Sequence, residues 1–147
     1  MGYESKLFIG ERHEMNFPNG MHDVCFRQVA EYDLSKMGDS HFYNVNSFLF
    51  KTPIDFDLYV NRMVEELDYN KNNGQTKGWF ESTVRDDGYG RTCCYAPIEE
   101  VLNYLKEWES KNEYYRRVPP LIAMLESFVE QQKWGAFENL VVVHYGH

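Results

Sequence analysis

Two segments near the N-terminus have the pattern of strands: residues 5–12, with Leu7-Phe8-Ile9 at their centre, and residues 22–33, in which apolar and polar residues alternate. In the second segment one parity is mostly apolar, whereas the other carries Cys25, Arg27 and Glu31. A period of two is typical of a β-strand in a sheet with one wetter face. A cluster of turn-forming residues separates the two segments. The pattern therefore predicts two strands that form a hairpin with a long loop.

Three later segments repeat apolar residues at helical spacing, and each begins at or next to a proline. They are residues 52–69, 97–108 and 119–132. Proline is favoured in the first helical turn, because its fixed φ suits a helix and its missing N–H would have no partner there. In the first of these segments, Thr52 is also placed to cap the helix. The spacing thus predicts three helices.

Further strands are predicted in the second half of the chain. Residues 78–84 have the composition of a strand, a turn follows at residues 86–90, and residues 92–95 are a candidate hairpin partner. Residues 140–145 are apolar at both parities. This predicts a strand that is buried on both faces of a sheet and packed against the last helix. The segment Phe48-Leu49-Phe50 fits either a short strand or an irregular segment whose side chains fill the core.

The order of these elements predicts an α+β fold. We expect a mainly antiparallel sheet of four to six short strands with about three helices packed on one face. No internal repeat, linker or low-complexity segment interrupts the sequence. Residues 1–147 are therefore expected to form a single compact domain.

Charge and composition exclude several classes of protein. The chain has 23 acidic and 15 basic residues, which give a net charge of −8 and a pI near 5.1. Direct binding to nucleic acid or to anionic membranes requires surfaces rich in lysine and arginine, so we expect neither. The longest apolar runs are too short to span a membrane, and the polar N-terminus predicts no signal peptide. An odd number of cysteines, 3, favours a reducing cytoplasm.

Two pairs of residues are candidates for chemistry, His144-x-x-His147 and Cys93-Cys94. The two histidines are expected to point to opposite faces of a strand, because an odd offset changes parity. A catalytic cysteine needs a nearby base, and no histidine is close in sequence, although the fold could supply one. No Walker A loop, Rossmann fingerprint or Ser-His-Asp order is present. We assign no catalytic residue, metal or cofactor. A paired-carboxylate enzyme stays open, because carboxylates are abundant.

Acidic residues are concentrated in the first two predicted helices and in the turn after residue 85. Together with one tyrosine of that turn, the candidates for partner binding are Asp55, Asp57, Glu65, Glu66, Asp68, Asp86, Asp87, Tyr89, Glu99, Glu100, Glu107 and Glu109. Charged runs on helices are most often solvated faces. The alternative is an acidic surface that docks on a basic, nucleic-acid-binding cleft of another protein, since complementary fields orient and accelerate association.

Three segments are similar to sequences of a known group: MGYESKLFI at residues 1–9, YDLSKMG at residues 32–38, and the stretch from PPL at 119–121 to VHYG at 143–146. Together they resemble small uncharacterised proteins from phages and prophages of Gram-positive bacteria. The resemblance implies a context, the bacterial host cytoplasm during infection or lysogeny, and transfers no active residue. Small accessory phage proteins often inhibit host defences, including CRISPR nucleases and restriction enzymes, and many such inhibitors are acidic.

The sequence is compatible with three functions. The first is a non-enzymatic phage protein that binds and inhibits a host defence protein, with a CRISPR effector nuclease or a restriction enzyme as the leading partner. The second is a small enzyme or sponge that binds a nucleotide or another small molecule in a pocket lined by tyrosine and tryptophan. The third is an assembly protein that self-associates through sheet edges, for instance as a homodimer. The resemblance and the acidic segments favour the first.

Overall fold

The computed structural model describes residues 5–34, 49–68, 74–86, 90–111 and 116–146, with the backbone alone for residues 61–68 and 74–83. Within these ranges the chain forms seven strands and two helices. In chain order they are β1 (Ser5–Asn16), β2 (His22–Asp33), β3 (Thr52–Pro53), β4 (Leu58–Asp68), β5 (Gly74–Val84), β6 (Cys94–Pro97), α1 (Ile98–Lys111), α2 (Val118–Lys133) and β7 (Leu140–Gly146).

Five of the strands form one antiparallel sheet in the order β2-β1-β7-β6-β3. The first two strands form the predicted hairpin, whose loop is residues 17–21. The last strand, β7, lies at the centre of the sheet between β1 and β6. The predicted α+β class with an antiparallel sheet is confirmed, with two helices rather than about three among the described residues.

Both helices pack on one face of this sheet and form the helix-side core. On the sheet its members include Leu7, Ile9, Leu140 and Val142, and on the helices they include Leu105, Leu121 and Leu125. The prediction that β7 is buried on both faces is confirmed, because each of its seven residues is buried. The prediction that it packs against the last helix is confirmed too. Of the Phe48-Leu49-Phe50 segment, Phe48 lies outside the described residues and Phe50 is a buried member of this core.

The opposite face of the sheet is covered by a second, smaller core, the distal core. Its buried members are Phe8, Ile54, Phe56, Leu58, Val60, Cys93, Val141, Val143 and Tyr145. Phe56 stacks on Phe26 of β2 with ring centroids 4.7 Å apart and planes 8° from parallel. Burial of a large aromatic side chain at such a contact stabilises by roughly 1.5–3 kcal/mol. The segment that leads into β4 is therefore held as a cover over the sheet.

The helix predicted for residues 52–69 is wrong. From Ile54 to Val60 every second side chain is buried and those between are exposed, which is the period of a strand. An extended segment can lay this apolar parity on the sheet and leave Asp55 and Asp57 in solvent. β4 then pairs along its whole length with β5, which satisfies the backbone groups of β4 that face β5.

The hairpin predicted between residues 78–84 and residues 92–95 is also wrong. β5 pairs with β4, whereas β6 lies in the main sheet beside β7 and β3. A single bridge between Asp86 and Thr92 is what remains of the predicted turn in the described residues. The two cysteines point to opposite faces, as in an extended segment, but both contact a core: Cys93 is buried in the distal core and the half-buried Cys94 packs on the helix-side core.

Candidate functional site

Asp55 is neutralised by an arginine of the sheet. Arg12 donates from Nε to Oδ1 of Asp55 over 3.1 Å and from Nη2 to Oδ2, so the contact is bidentate. The guanidinium also lies over the ring of Tyr95, 5.8 Å from its centroid. The hydrogen bond from Arg12 lowers the pKa of the Asp55 carboxyl, although partial burial opposes the shift. This aspartate has its cation within the chain and is poorly placed to attract another.

Asp57 has a cation of its own as well. Nε of Arg85 donates to Oδ1 of Asp57 over 2.8 Å, and this hydrogen bond raises the pKa of Arg85. Both side chains are more than half exposed, so the pair is screened by solvent. The two aspartates predicted for a docking helix instead fasten an extended segment to the sheet and to the end of β5.

Of the acidic residues predicted on the second helix, three lie away from its buried stripe, whereas Glu109 follows the buried Leu105 by four residues and is exposed near the end of the core-facing side. Glu99, Glu100, Glu107 and Glu109 are all exposed on α1. The sequence interpretation missed two more, Glu126 and Glu130, which α2 exposes beside them. Their spacing from the buried Leu121 and Leu125 places them on the outward side of an amphipathic helix, a signal that the sequence already held.

The six glutamates of α1 and α2 carry twice the charge that the three lysines of these helices can balance. Lys106 on α1 bridges to Glu126 on α2 over 3.1 Å, and Lys111 pairs with Glu107 over 2.8 Å. Lys133 is the third lysine of the two helices, so six glutamates face three lysines. Within the described part of the chain, four glutamates take part in no ion pair: Glu99, Glu100, Glu109 and Glu130. We call the full set of six glutamates on α1 and α2, these four together with Glu107 and Glu126, the acidic helix surface.

A groove of about 380 Å³ runs between the two helices at this surface. It is lined by Glu99, Leu102, Asn103, Lys106, Glu126, Val129, Glu130 and Lys133. Charged side chains of both signs form most of this lining, and it includes no aromatic residue. The groove therefore differs from the tyrosine- and tryptophan-lined pocket that a nucleotide sponge was expected to have.

The remaining predicted residues lie away from the helix layer or outside the described residues. Glu65, Glu66 and Asp68 are on β4, at the register positions of Lys77, Thr76 and Gly74 of β5. Asp86 is exposed next to the bridge with Thr92. Asp87 and Tyr89 lie outside the described residues. The ten predicted residues that the structure describes are thus divided among three parts of the fold.

The fold brings a histidine to Cys94, which the sequence interpretation left open. His144 of β7 is the cross-strand partner of Cys94 on one side and of Leu7 on the other. Its Nε2 lies 2.8 Å from Oγ of Ser5, and its ring stacks near Phe50 with centroids 5.6 Å apart. Sequence reasoning missed Ser5 altogether, because its partner is 139 residues away.

The group formed by Ser5, Cys94 and His144 contains the residue types of a nucleophile and a base. It lacks the exposed, electropositive surroundings in which such residues react. Burial raises the pKa of the Cys94 thiol, and that thiol donates to the carbonyl oxygen of Thr92 over 3.7 Å, so it is held as a neutral thiol. Ser5 and His144 are 6% and 4% exposed, which leaves them closed to a substrate. The hydrogen bond between them instead links β1 to β7. His147, the other histidine of the predicted pair, lies outside the described residues.

Two further properties of the described residues bear on the kind of site. No three histidine, cysteine, aspartate or glutamate side chains in them are gathered closely enough to hold a metal ion. Neither α1 nor α2 has the length and apolarity needed to cross a membrane. No family model, no curated protein and no solved structure matches the chain.

Proposed function

We propose that the chain is a non-enzymatic accessory protein of a phage that binds and inhibits a host defence protein through the acidic helix surface. The leading partner class is a CRISPR effector nuclease or a restriction enzyme in the cytoplasm of the bacterial host. The observation that supports this proposal is the group of four exposed glutamates on α1 and α2 that, among the described residues, take part in no ion pair. The phage context comes from the sequence resemblance.

The physical argument is electrostatic. A cleft that binds nucleic acid is lined with lysine and arginine, and its positive field attracts any surface that presents several carboxylates at fixed positions. Two packed helices hold their side chains on a rigid layer, so the ordering cost of binding is small. Glu99, Glu100, Glu109 and Glu130 are therefore the residues that we expect to contribute most. Asp55 and Asp57 are expected to contribute little, because Arg12 and Arg85 already neutralise them.

The test uses purified CRISPR effector nucleases and restriction enzymes of Gram-positive bacteria in DNA-cleavage and surface-binding assays. The variant removes three charges from the acidic helix surface: Glu100→Gln, Glu109→Gln and Glu130→Gln. The matched control removes three charges elsewhere: Glu14→Gln, Glu31→Gln and Glu138→Gln. All six positions are exposed, so both variants are expected to fold.

The helix-surface variant should associate roughly tenfold more slowly with its target and inhibit cleavage correspondingly less, whereas the control should behave as the original chain. Association should also slow as salt rises, and DNA added before the protein should block binding. Inhibition that the two variants reduce equally would contradict a specific surface. Absence of binding and of inhibition across the tested nucleases would contradict the proposal as a whole.

A further inference from the structure

β2 is a long edge strand. Among the described strands it pairs with β1 alone, and it runs for 12 residues from His22 to Asp33. The other edge of the sheet is β3, which has 2 residues and includes Pro53. A short edge with proline resists pairing, whereas the part of β2 before its bulge at Val29, residues 22–28, presents a regular row of N–H and C=O groups that can pair with another strand.

The hydrogen bonds of the hairpin show which backbone groups of β2 face outward. The N–H of Phe17 donates to the carbonyl of Met21 over 2.8 Å, which marks this pair as hydrogen-bonded. Because hydrogen-bonded and non-hydrogen-bonded pairs alternate in an antiparallel ladder, Asp23, Cys25 and Arg27 bond inward to β1. The backbone groups of the intervening residues 22, 24, 26 and 28 therefore point away from the sheet. The N–H of Val24 donates to Oδ1 of Asp23 over 2.9 Å, a local hydrogen bond that pairing would exchange for one to the second copy.

These outward groups are compatible with antiparallel pairing to β2 of a second copy. In a two-fold arrangement centred on Cys25, Val24 of each copy lies opposite Phe26 of the other. Both residues are half-buried against the distal core, so the pair extends an apolar face. On the other face, Cys25 lies opposite Cys25, and Asp23 of each copy lies opposite Arg27 of the other.

The charges of Asp23 and Arg27 favour this register over the registers shifted by one or two residues. A shift of the two-fold axis by two residues places Asp23 opposite Asp23 or Arg27 opposite Arg27, and like charges directly opposite are destabilising. A shift by one residue removes both Asp23–Arg27 pairs. Asp23 and Arg27 are exposed, and centring on Cys25 is the register that gives both of them a partner of opposite sign.

An exposed apolar group lies beside the same edge. Among the described residues, three of the five large hydrophobic side chains that are exposed belong to the tip of the β1–β2 hairpin: Met15, Phe17 and Met21, at 38%, 44% and 64%. With the axis at Cys25, Met21 lies one position beyond the pair of His22 with Gln28 and comes close to the half-buried Val29 of the second copy, the bulge residue of β2. Pairing would thus cover apolar surface that one copy leaves in water.

From these observations we infer that two copies of the chain associate through β2, antiparallel and centred on Cys25, to continue the sheet across a two-fold axis. The interface is formed by the outward backbone groups of β2, the Val24–Phe26 and Asp23–Arg27 pairs, and the apolar hairpin tip. Its occupant is a second copy of this chain.

The first test is oxidation of the full chain with diamide, followed by peptide mapping. Opposed Cys25 residues in a non-hydrogen-bonded pair have Cα atoms about 4.5 Å apart, within the range of a disulfide. Two thiols would lose two protons and two electrons to diamide and form one disulfide. We expect a covalent dimer linked Cys25 to Cys25, which Cys25→Ser abolishes. A covalent dimer linked only through Cys93 or Cys94, or no covalent dimer, would overturn the inference.

The second test is a charge exchange measured by sedimentation velocity and by the rate of diamide cross-linking. Arg27→Asp places two aspartates opposite each other on both sides of the axis and should slow cross-linking roughly tenfold. The double variant Asp23→Arg/Arg27→Asp reverses both pairs and should restore dimerisation. Failure of the double variant to recover, with its melting temperature unchanged, would show that these two residues do not face each other.

The β2 edge and the acidic helix surface are separate groups of residues. The Arg27→Asp variant leaves all six glutamates of that surface in place, and the glutamine variant of the helices leaves β2 intact. Either inference can therefore fail in its own assay without affecting the outcome of the other.

Discussion

At the scale of single residues, Gly10 is the position where the sheet has no room for a side chain. A Cβ built there would lie 2.5 Å from a ring carbon of Phe26 and 2.6 Å from the carbonyl oxygen of Arg27. The second contact is with backbone and cannot be relieved by rotating a side chain. The ladder also shifts its register next to Gly10, with Val29 as the additional residue of β2.

We expect Gly10→Ala to lower the free energy of unfolding by about 1–3 kcal/mol through this overpacking. Urea unfolding at pH 7 measures the loss. Gly20→Ala is the comparison, because its methyl group would meet nothing within 4 Å and only its positive φ of 83° is unfavourable. That variant should lose roughly 1 kcal/mol. A larger loss at Gly20 than at Gly10 would contradict the steric explanation.

Asp55 gives the stability a dependence on acid pH. Because the Arg12 contact lowers the pKa of the folded carboxyl below its ordinary value of 3.8, the stabilisation is present above that pH and is lost as the pH falls through the folded pKa. Asp55 is nearly half exposed, so Asp55→Asn should cost at most about 1 kcal/mol at pH 7. The difference from the original chain should narrow as the pH is lowered below about 4.

Urea unfolding at a series of pH values checks this expectation. Asp57→Asn is the control, since its partner Arg85 is more than half exposed, whereas Arg12 is 14% exposed. It should cost less at pH 7. A loss for Asp55→Asn that is the same at pH 3 and pH 7 would show that its charge is not the cause.

At the scale of elements, the sequence predicted the correct helix or strand wherever a segment carried a single local pattern. The β1–β2 hairpin, α1, α2 and β7 were all predicted. The segment after Thr52 carried two patterns, a helix start at Thr52-Pro53 and a strict alternation from Ile54 to Val60. The choice between them depends on β5, which begins at Gly74 and supplies the hydrogen bonds of β4. Packing of the alternating apolar side chains on the sheet and pairing with the following strand outweighed the helix start.

The last helix was predicted to end at Gln132, α2 ends at Lys133, and the residues that follow give the reason. Gly135 donates to the carbonyl of Gln132 and Ala136 donates to that of Gln131, which is the hydrogen-bond pattern of a Schellman motif. Gly135 has a φ of 86°, and a methyl group added to it would meet no atom within 4 Å, so only its backbone conformation demands glycine. We expect Gly135→Ala to cost about 1–2 kcal/mol and Gly135→Asn less, as measured by urea unfolding. Equal losses in the two variants would argue against a requirement for positive φ.

At the scale of the whole molecule, the arrangement of elements was the part that the sequence did not contain. Nothing in residues 140–145 shows that this strand lies between β1 and β6. The same lack of information hid the meeting of His144 with Ser5 and Cys94, since strand order alone creates it. The positions of the acidic residues also depended on how the elements are arranged. Those on a correctly predicted helix came together, and those assigned to the wrong helix were dispersed.

The central position of β7 leads to the strongest stability prediction. Its five apolar side chains are all buried, and their loss would remove on the order of 10 kcal/mol of burial free energy. Domains of this kind are stable by only about 5–15 kcal/mol, so a chain that ends at Asn139 should not fold. Far-ultraviolet circular dichroism and the dispersion of amide NMR signals measure this directly. A chain that lacks only His147 keeps β7 and should fold. Val142→Ala, at a fully buried position, should retain the fold with a loss of roughly 2–3 kcal/mol. Cooperative unfolding of the chain that ends at Asn139 would mean that β1 and β6 can form a stable sheet without the strand between them.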